Sequence, residues 1–410
     1  MENRILAIVQ AGGAGGRMDV LTLERAKPAL PVAGSYQLID FPLSNLVNSG
    51  IEDVWLSVQY QAAALEDQVY NGRPWDLDRT RGGLRLLVPQ EGTGSLDEQG
   101  FARGNADELF RLRDDIRHSG ADLALVMSAD HIYRMNYGDV VRTHLENDAE
   151  LTMVVTDISD RYGENAADHA VVESDPDGRV TGFADKPDKP ATSVVATEVF
   201  CYHSGVLVEM LEQLHRAQAT THSDRERGNS GLGDFGDLLV PALVARGRTV
   251  AHPHRRYWRD LGQPHHYLNA HLELARRETD LFERSWPVYT RQPQREPAYV
   301  ERGAVVVDSL LSPGSIVGGR VTGSVLGPGV VVEEGAEVVE SVVFADTVVR
   351  AGARVERTIV DTGCELRDGA GVGGPDVALD DPAAVPIVGR DSVVGTTLGP
   401  GSRMPPGSTV

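Results

Sequence analysis

Apolar runs alternate with amphipathic stretches through the first two thirds of the chain. The runs at residues 4–13, 53–58 and 121–130 predict buried strands. Amphipathic spacing predicts helices over residues 36–50, 106–120 and 137–149. Strands that alternate with helices in this way are typical of a parallel sheet covered on both faces. We therefore predict an α/β domain with a Rossmann-like, mixed and mostly parallel sheet.

Valine and glycine dominate the last third of the chain. VVEEGAEV, VVRAGARV and ELRDGAGV repeat at a 17-residue step, with glycines at Gly335, Gly352 and Gly369. Apolar residues recur near every sixth position, as at Val349, Val355, Val360, Leu366 and Val372. This pattern favours a left-handed parallel β-helix of hexapeptide repeats. A β-sandwich with valine-rich strands and glycine turns is the alternative.

These two patterns divide the chain. We predict an α/β domain at residues 1–281 and a linker at residues 282–297, where proline and polar residues interrupt both periodicities. The β-helix would occupy residues 298–410. Its end, Gly373 to Val410, is predicted to be an irregular cap with one more coil.

Composition and charge narrow the class of protein. The 410 residues carry a formal net charge of −21, which argues against binding nucleic acid or an anionic membrane surface. The two cysteines, Cys201 and Cys364, are too few for a disulfide framework. No signal-peptide pattern and no apolar run of about 20 residues is evident. We therefore expect a cytoplasmic protein with no membrane partner.

A glycine-rich loop follows the first predicted strand directly. AGGAGGRM spans residues 11–18 and supplies Gly12, Gly13, Gly15 and Arg17. Glycines let the backbone approach a ligand and direct N–H groups at it, and the Arg17 guanidinium suits phosphate oxygens. Lys27 follows in ERAKPALP and can place a second cation beside the loop. The loop fits neither a Walker motif nor the dinucleotide GxGxxG pattern.

AGGAGGRM, ERAKPALPVAG and QLIDFPLSN together resemble the opening of the ADP-glucose pyrophosphorylase (glucose-1-phosphate adenylyltransferase) family of sugar nucleotidyltransferases. The resemblance continues in order through ARGNADEL, SADHIYRMNY, FADKP, GDFGDLLVP and YWRDLG, and then into the hexapeptide repeats. It implies an enzyme that joins a nucleoside triphosphate to a sugar 1-phosphate, releases pyrophosphate and requires Mg²⁺. It also implies a homodimer or homotetramer.

The resemblance assigns roles to residues of this chain. Gly12, Gly13, Gly15 and Arg17 would hold the triphosphate, with Arg17, Lys27 and Asp130 as the catalytic set. Asp130 and Asp260 would hold Mg²⁺, for which carboxylate oxygens are suitable ligands. Lys186 would bind the acceptor phosphate. His131, His252, His254, His265 and His266 lack a metal-ligand spacing and are predicted to be surface or packing residues.

Departures from the family pattern concentrate around the sugar and the base. Ala102 stands where the family has tyrosine, while Ala196, Thr197 and Glu198 replace Ser-Met-Gly, and Ala167 and Asp168 replace Phe-Gly. We assign Asp168 and Glu198 to the acceptor site, which then differs from a glucose pocket. Gln10 replaces a leucine, and Gln90 and Glu91 replace part of a glutamine motif. Gln10, Gln90, Glu91 and Gly104 complete the predicted nucleotide site, and a carboxylate such as Glu91 favours guanine over adenine.

The altered pocket looks similar to the valienol-1-phosphate guanylyltransferase branch of C7-cyclitol antibiotic pathways. Transfer from GTP to valienol 1-phosphate is therefore the leading hypothesis, with glucose-1-phosphate adenylyltransferase in glycogen synthesis as the alternative. If the chain were a non-catalytic regulatory subunit, we would expect the charged site residues to be lost, but all of them are present. An acyltransferase would require a histidine within residues 298–410, which contain none.

Overall fold

The computed structural model describes residues 3–12, 15–89, 102–159, 164–221 and 230–410. In these ranges, the strands before residue 298 are β1 Ile5–Gln10, β2 Pro31–Val32, β3 Tyr36–Gln37, β4 Asp53–Ser57, β5 Gly83–Leu87, β6 Leu123–Ser128, β7 His131–Tyr133, β8 Leu151–Asp157, β9 Ala170–Ser174, β10 Val180–Asp185, β11 Val194–His203, β12 Thr249–Pro253 and β13 Trp258–Asp260. The α-helices are α1 Asp40–Asn48, α2 Ala62–Val69, α3 Asn105–Ser119, α4 Tyr137–Glu146, α5 Ser204–Thr221, α6 Val240–Ala245 and α7 Pro264–Ala275.

Within those ranges, nine strands form one mixed sheet in the order β10-β9-β11-β6-β1-β4-β5, with β8 beside β11 and β12 beside β8. β1 lies near the centre and pairs in parallel with β4 and β6. β11 runs antiparallel to β6 and β8. The predicted mixed, mostly parallel sheet is therefore confirmed, and the parallel strands end together at one edge.

Helices cover both faces of this sheet. Along β1, Ala7 and Val9 belong to one buried cluster and Leu6 and Ile8 to the other, as the two-residue period of a strand requires. The first cluster takes in residues of α1, α2 and α4, and the second takes in residues of α3, α5 and α6. Among the described residues, no helix is both long enough and apolar enough to span a bilayer.

The predicted helix over residues 36–50 is shorter than expected. Tyr36 and Gln37 form β3, and α1 begins only at Asp40. The buried Asp40 carboxylate accepts a hydrogen bond of 2.8 Å from the Gln37 backbone N–H, which closes the turn ahead of the helix. The amphipathic pattern could not separate this turn from the helix that follows.

The chain after residue 298, which the structure describes throughout, forms three parallel sheets of six strands each. The first sheet consists of Tyr299–Val300, Ile316–Val317, Val331–Val332, Val348–Val349, Glu365–Leu366 and Val393–Val394. The second consists of Val305–Val307, Arg320–Thr322, Glu337–Val339, Arg354–Glu356, Gly371–Gly373 and Thr397–Leu398. The third consists of Leu310–Leu311, Val325–Leu326, Val342–Val343, Ile359–Val360, Ile387–Val388 and Arg403–Met404.

This arrangement confirms the β-helix and rejects the β-sandwich, because every strand pair of the three sheets is parallel. Val338 pairs with Val355, and Val355 with Val372, which is the 17-residue step of the sequence. Gly335, Gly352 and Gly369 have φ of +78°, +70° and +71°, a left-handed conformation that favours glycine at each turn. The valines and leucines at the six-residue spacing are buried inside the coils.

The β-helix packs against the α/β part through a shared apolar cluster. Phe41 and Tyr267 on one side meet Phe344 and Ile387 on the other. Beside them Arg25 forms a buried ion pair of 2.5 Å with Asp361 of the β-helix, and its guanidinium lies 5.8 Å from the Phe344 ring centroid. Breaking a buried pair by removing one partner is strongly destabilising. The chain segment just before Lys27 is thereby fixed to the β-helix.

Candidate functional site

A cavity of about 380 Å³ opens at the edge where the parallel strands end. In open α/β sheets this is the edge at which ligands bind. Eight of the predicted site residues line it among the described residues: Gln10, Gly12, Arg17, Lys27, Gly104, Asp130, Lys186 and Glu198. The sheet therefore brings together residues that are up to 188 positions apart in the sequence, from Gln10 to Glu198.

Lys27 and two aspartates form the charged centre of the site. The Lys27 Nζ lies 2.5 Å from Asp130 Oδ2 and 3.8 Å from Asp260 Oδ1. Asp130 follows β6, whereas Asp260 ends β13, and Lys27 opens a short 3₁₀ turn at Lys27–Ala29. Each aspartate is also fixed locally, because Asp130 accepts a hydrogen bond from the Ser128 hydroxyl and Asp260 accepts one of 2.7 Å from the Gly262 N–H.

Burial and opposite charge compete at this centre. Burial alone would lower the pKa of Lys27, but the carboxylates of Asp130 and Asp260 outweigh it and raise the pKa above the usual value. Burial would likewise raise the pKa of Asp130, yet Lys27 and His131 hold it far below its ordinary range. The pKa of Asp260 is lowered in the same way, against burial, by Lys27 and His131. All three groups are therefore charged at neutral pH.

His131 is a buried packing residue, as one of the two expectations had it, but it also belongs to this cluster. Strands β7 and β13 pair with His131 opposite Asp260, and its Nε2 lies 3.3 Å from Asp130 Oδ1 and 3.7 Å from Asp260 Oδ1. The ring also packs, with its Nδ1 3.1 Å from the Thr197 carbonyl oxygen. Burial would lower the pKa of His131, but the surrounding carboxylates raise it. The sequence signal that could have indicated this position is that His131 directly follows Asp130 in the motif SADH.

The donor set fits a divalent cation. One atom each of Asp130, His131 and Asp260 lies within 4.8 Å of the others, and the two carboxylates supply the hard oxygen ligands that Mg²⁺ prefers. The remaining ligands of Mg²⁺ are commonly water and substrate phosphate oxygens. In the present arrangement the Lys27 ammonium supplies the positive charge between the aspartates.

The glycine-rich loop stands beside this centre. Gly15 has φ of +67°, and a Cβ there would approach side-chain atoms of Thr22 and Lys27 within 3.0–3.3 Å, so a larger residue would crowd the lysine. Gly12 and Arg17 line the cavity, whereas Gly15 is not among the described residues that line it. Arg17 is exposed. Gly13 lies outside the described residues.

The predicted acceptor residues do not all reach the cavity. Lys186 and Glu198 line it, both with positive φ (+42° and +56°), and Glu198 sits where the register of β11 against β8 shifts. Burial raises the pKa of Glu198, with His131 acting against it. Asp168 is exposed in the turn Ala166–Asp168 and is not among the described residues that line the cavity.

The end of β1 carries the nucleotide residues predicted from the sequence. Gln10 is buried, and its amide donates to the Asn105 carbonyl at 2.9 Å and to Glu108 Oε2 at 3.1 Å. Gly104 has φ of +140°, and a Cβ there would lie 2.3 Å from the Gly233 backbone, so the start of α3 requires glycine. Gln90 and Glu91 lie outside the described residues. Sequence reasoning missed Glu108, whose signal was an acidic residue in the first turn of a helix beside the cavity.

Comparison with known proteins agrees with this geometry. The sequence model of the family described as "Nucleotidyl transferase" matches residues 6–277, and that of "GlmU-like, C-terminal hexapeptide" matches residues 297–384. The glucose-1-phosphate adenylyltransferase of Acetivibrio thermocellus is 33% identical over 343 residues, which are 83% of this chain and 76% of that protein. The enzyme of the same name from Bacillus subtilis is 32% identical over 335 residues, 81% of this chain and 84% of that protein.

These matches cover both halves of the molecule, and the first one includes every residue of the charged centre. The chain therefore belongs to the nucleotidyl transferase family, as an enzyme homologous to the bacterial glucose-1-phosphate adenylyltransferases over more than four fifths of its length.

Proposed function

We propose that this enzyme transfers a nucleoside monophosphate from a nucleoside triphosphate to a sugar or cyclitol 1-phosphate. The observation that carries the proposal is the convergence of Lys27, Asp130 and Lys186 on one cavity beside the glycine-rich loop. A phosphoryl group that reacts with another phosphate brings many negative charges together, and such a site holds them by fixed cations.

The reaction needs positioning and charge rather than a covalent intermediate. A phosphate oxygen of the acceptor attacks the α-phosphorus and forms the new P–O bond. The bond from that phosphorus to the bridging oxygen of the β-phosphate breaks, and pyrophosphate leaves with the electron pair. Arg17 and Lys27 neutralise the triphosphate, and Lys186 orients the acceptor phosphate, which makes an in-line approach effectively intramolecular.

Mg²⁺ is part of the proposal. Asp130 and Asp260 would hold it, with His131 beside them. When bound, such an ion polarises phosphoryl oxygens and stabilises the charge that develops in the transition state. The Lys27 ammonium, which contacts both aspartates, would share that task.

For the acceptor we propose valienol 1-phosphate rather than glucose 1-phosphate, in antibiotic biosynthesis. Ala102, Ala196 and Phe183 line the acceptor side of the cavity with apolar groups, and Thr197 donates its hydroxyl to the Val154 carbonyl, away from the ligand. Apolar groups at these positions suit the all-carbon ring of a cyclitol, which lacks the ring oxygen of glucose. For the donor we propose GTP.

The second candidate is transfer from ATP to glucose 1-phosphate. It is favoured by the relatives, because the proteins from Acetivibrio thermocellus and Bacillus subtilis carry the name glucose-1-phosphate adenylyltransferase. The two candidates differ only in the donor base and the acceptor ring, so they share every phosphate contact described above.

A substrate panel separates them. We expect pyrophosphate release to be fastest with GTP and valienol 1-phosphate when each nucleoside triphosphate is combined with a set of sugar and cyclitol 1-phosphates, with products identified by mass spectrometry. Highest kcat/KM for ATP with glucose 1-phosphate would select the second candidate. No release with any pair would reject nucleotidyl transfer and favour a regulatory subunit.

The two aspartates should be essential for turnover. Asp130→Asn and Asp260→Asn each remove a charged oxygen ligand, and we expect kcat to fall by at least about 100-fold because several kcal/mol of transition-state stabilisation are lost. Asp114→Asn, on the exposed face of α3, is the matched control and should keep full activity. Near-normal pyrophosphate release by a folded Asp130→Asn or Asp260→Asn protein would remove that residue from the mechanism.

We also propose that the protein is a homodimer or homotetramer. The first coil of the β-helix exposes apolar side chains, with Tyr299 61% exposed and Val300 and Val307 each 45% exposed. Burying such a surface against a second copy is favourable. Light scattering at micromolar concentration should give a mass of two or four chains, and a monomer would contradict the proposal.

A further inference from the structure

Glu108 and Gln10 are buried polar residues that the mechanism above does not use. Their side chains line the cavity at the end of β1, and they are only 5% and 7% exposed. Glu108 Oε1 and Gln10 Oε1 have no hydrogen-bond partner in the described part of the chain. Gln59 Oε1, on the same wall, also has no hydrogen-bond partner among the described residues. Buried polar atoms are nearly always paired with protein, water or ligand, so three unpaired acceptor atoms on one cavity wall mark a place where a ligand that supplies donors would be stabilised.

All three unpaired atoms are hydrogen-bond acceptors. Gln10 donates through Nε2 to both the Asn105 carbonyl and Glu108 Oε2, so turning its amide over would break two hydrogen bonds. Its oxygen is therefore fixed as the free atom. Glu108, when ionised, presents its free oxygen as a carboxylate acceptor, and Gln59 presents a carbonyl. With Glu108 ionised, the wall suits a ligand with several adjacent donors.

Gln10 and Glu108 also stand at the correct place for a nucleobase. Gln10 is the last residue of β1 and lies two positions before Gly12, where the phosphate loop begins. Glu108 lies in the first turn of α3 and is joined to Gln10 at 3.1 Å. A triphosphate that runs along the loop towards Arg17 and Lys27 leaves its base beside these two residues.

We propose that Glu108, positioned by Gln10, selects guanine in the donor nucleotide by accepting hydrogen bonds from its N1–H and exocyclic N2 amine. This inference rests on the proposed nucleotidyl transfer and names the residue that chooses the base. Guanine offers these donors side by side. Adenine and cytosine place a ring acceptor beside their single amine, and uracil places carbonyl oxygens on both sides of its one N–H, so each would face the carboxylate with a lone pair.

The pKa of Glu108 is consistent with a carboxylate that receives further hydrogen bonds from a bound ligand. Burial, assisted by Asp107, raises the pKa of Glu108 to about 7, whereas hydrogen bonds from Ser57, Gln59 and Gln10 act in the opposite direction. Two more donors from a base stabilise the ionised carboxylate further, since donors to the charged form favour it. A ligand that brings an acceptor instead leaves the buried charge uncompensated.

The first test measures binding by the wild-type protein, without any acceptor and without turnover. Isothermal titration should give similar affinity for GTP and 7-deaza-GTP, because N7 lies away from the edge that Glu108 contacts. ITP, which lacks the N2 amine, and N1-methyl-GTP should bind roughly 10- to 100-fold more weakly, as should ATP. Equal binding of GTP, ITP and N1-methyl-GTP, or tighter binding of ATP, would overturn the proposal.

The second test assigns the effect to Glu108. Glu108→Gln should reduce the GTP/ATP affinity ratio by roughly 10-fold or more, chiefly by weakening GTP. Glu146→Gln, at the exposed end of α4, is the control and should leave the ratio unchanged. Glu91→Gln tests the sequence-based candidate, and an effect there with none in a folded Glu108→Gln protein would overturn the proposal. If circular dichroism shows that the Glu108→Gln protein is unfolded, the titrations of the wild-type protein with the GTP analogues decide whether the proposal holds.

Measuring binding and turnover separately distinguishes failure of the proposed function from failure of the proposed base selection. Failure of every acceptor to release pyrophosphate rejects the proposed function, while a Glu108-dependent preference for GTP in binding still supports the base selection. Conversely, pyrophosphate release with ATP preferred over GTP keeps the transferase and rejects the role of Glu108.

Discussion

The buried ion cluster of Lys27, Asp130 and Asp260 is the constraint on which the site depends. A lysine with only 6% of its surface exposed is tolerated because two carboxylates compensate its charge, and removing the lysine would leave both carboxylates without their shared cation. The three residues come from a short turn, the end of β6 and the end of β13. The cluster therefore forms only when the sheet and its connections are complete. It also prepares the site for polyphosphate, because its cation and its carboxylates suit the two charged components of a metal–nucleotide complex.

The β-helix contributes to this arrangement at a distance. Arg25 lies two residues before Lys27, and its buried pair with Asp361 ties the segment that carries the lysine to the second part of the molecule. Phe344 supports the same guanidinium, and the shared apolar cluster closes around both. The hexapeptide repeats thus have a structural role at the candidate site, through the segment that carries Lys27. A rigid support of this kind suits chemistry that relies on positioning.

Sequence reasoning succeeded where the information is local or periodic. The 17-residue step predicted the β-helix because each coil repeats the same buried valine and the same left-handed glycine. The succession of apolar runs and amphipathic stretches predicted the sheet. Asp130 and Lys186 were found because they lie in short recognisable motifs. It missed the proximity of His131 to the aspartates and the position of Glu108, because both arise from long-range pairing: His131 lies opposite Asp260, which is 129 residues further along the chain, and Glu108 meets Gln10 only through the folded sheet. Asp168, chosen by alignment alone, lies in an exposed turn.

The central claim is that the two aspartates and the nucleotide together hold a divalent cation. Electron paramagnetic resonance of Mn²⁺, titrated with protein and a GTP analogue whose α,β-bridging oxygen is methylene, measures this without turnover. We expect the wild type and Asp114→Asn to bind Mn²⁺ alike, and Asp130→Asn and Asp260→Asn to bind it at least roughly 10-fold more weakly while remaining folded. Equal Mn²⁺ affinity in all four proteins would contradict the account.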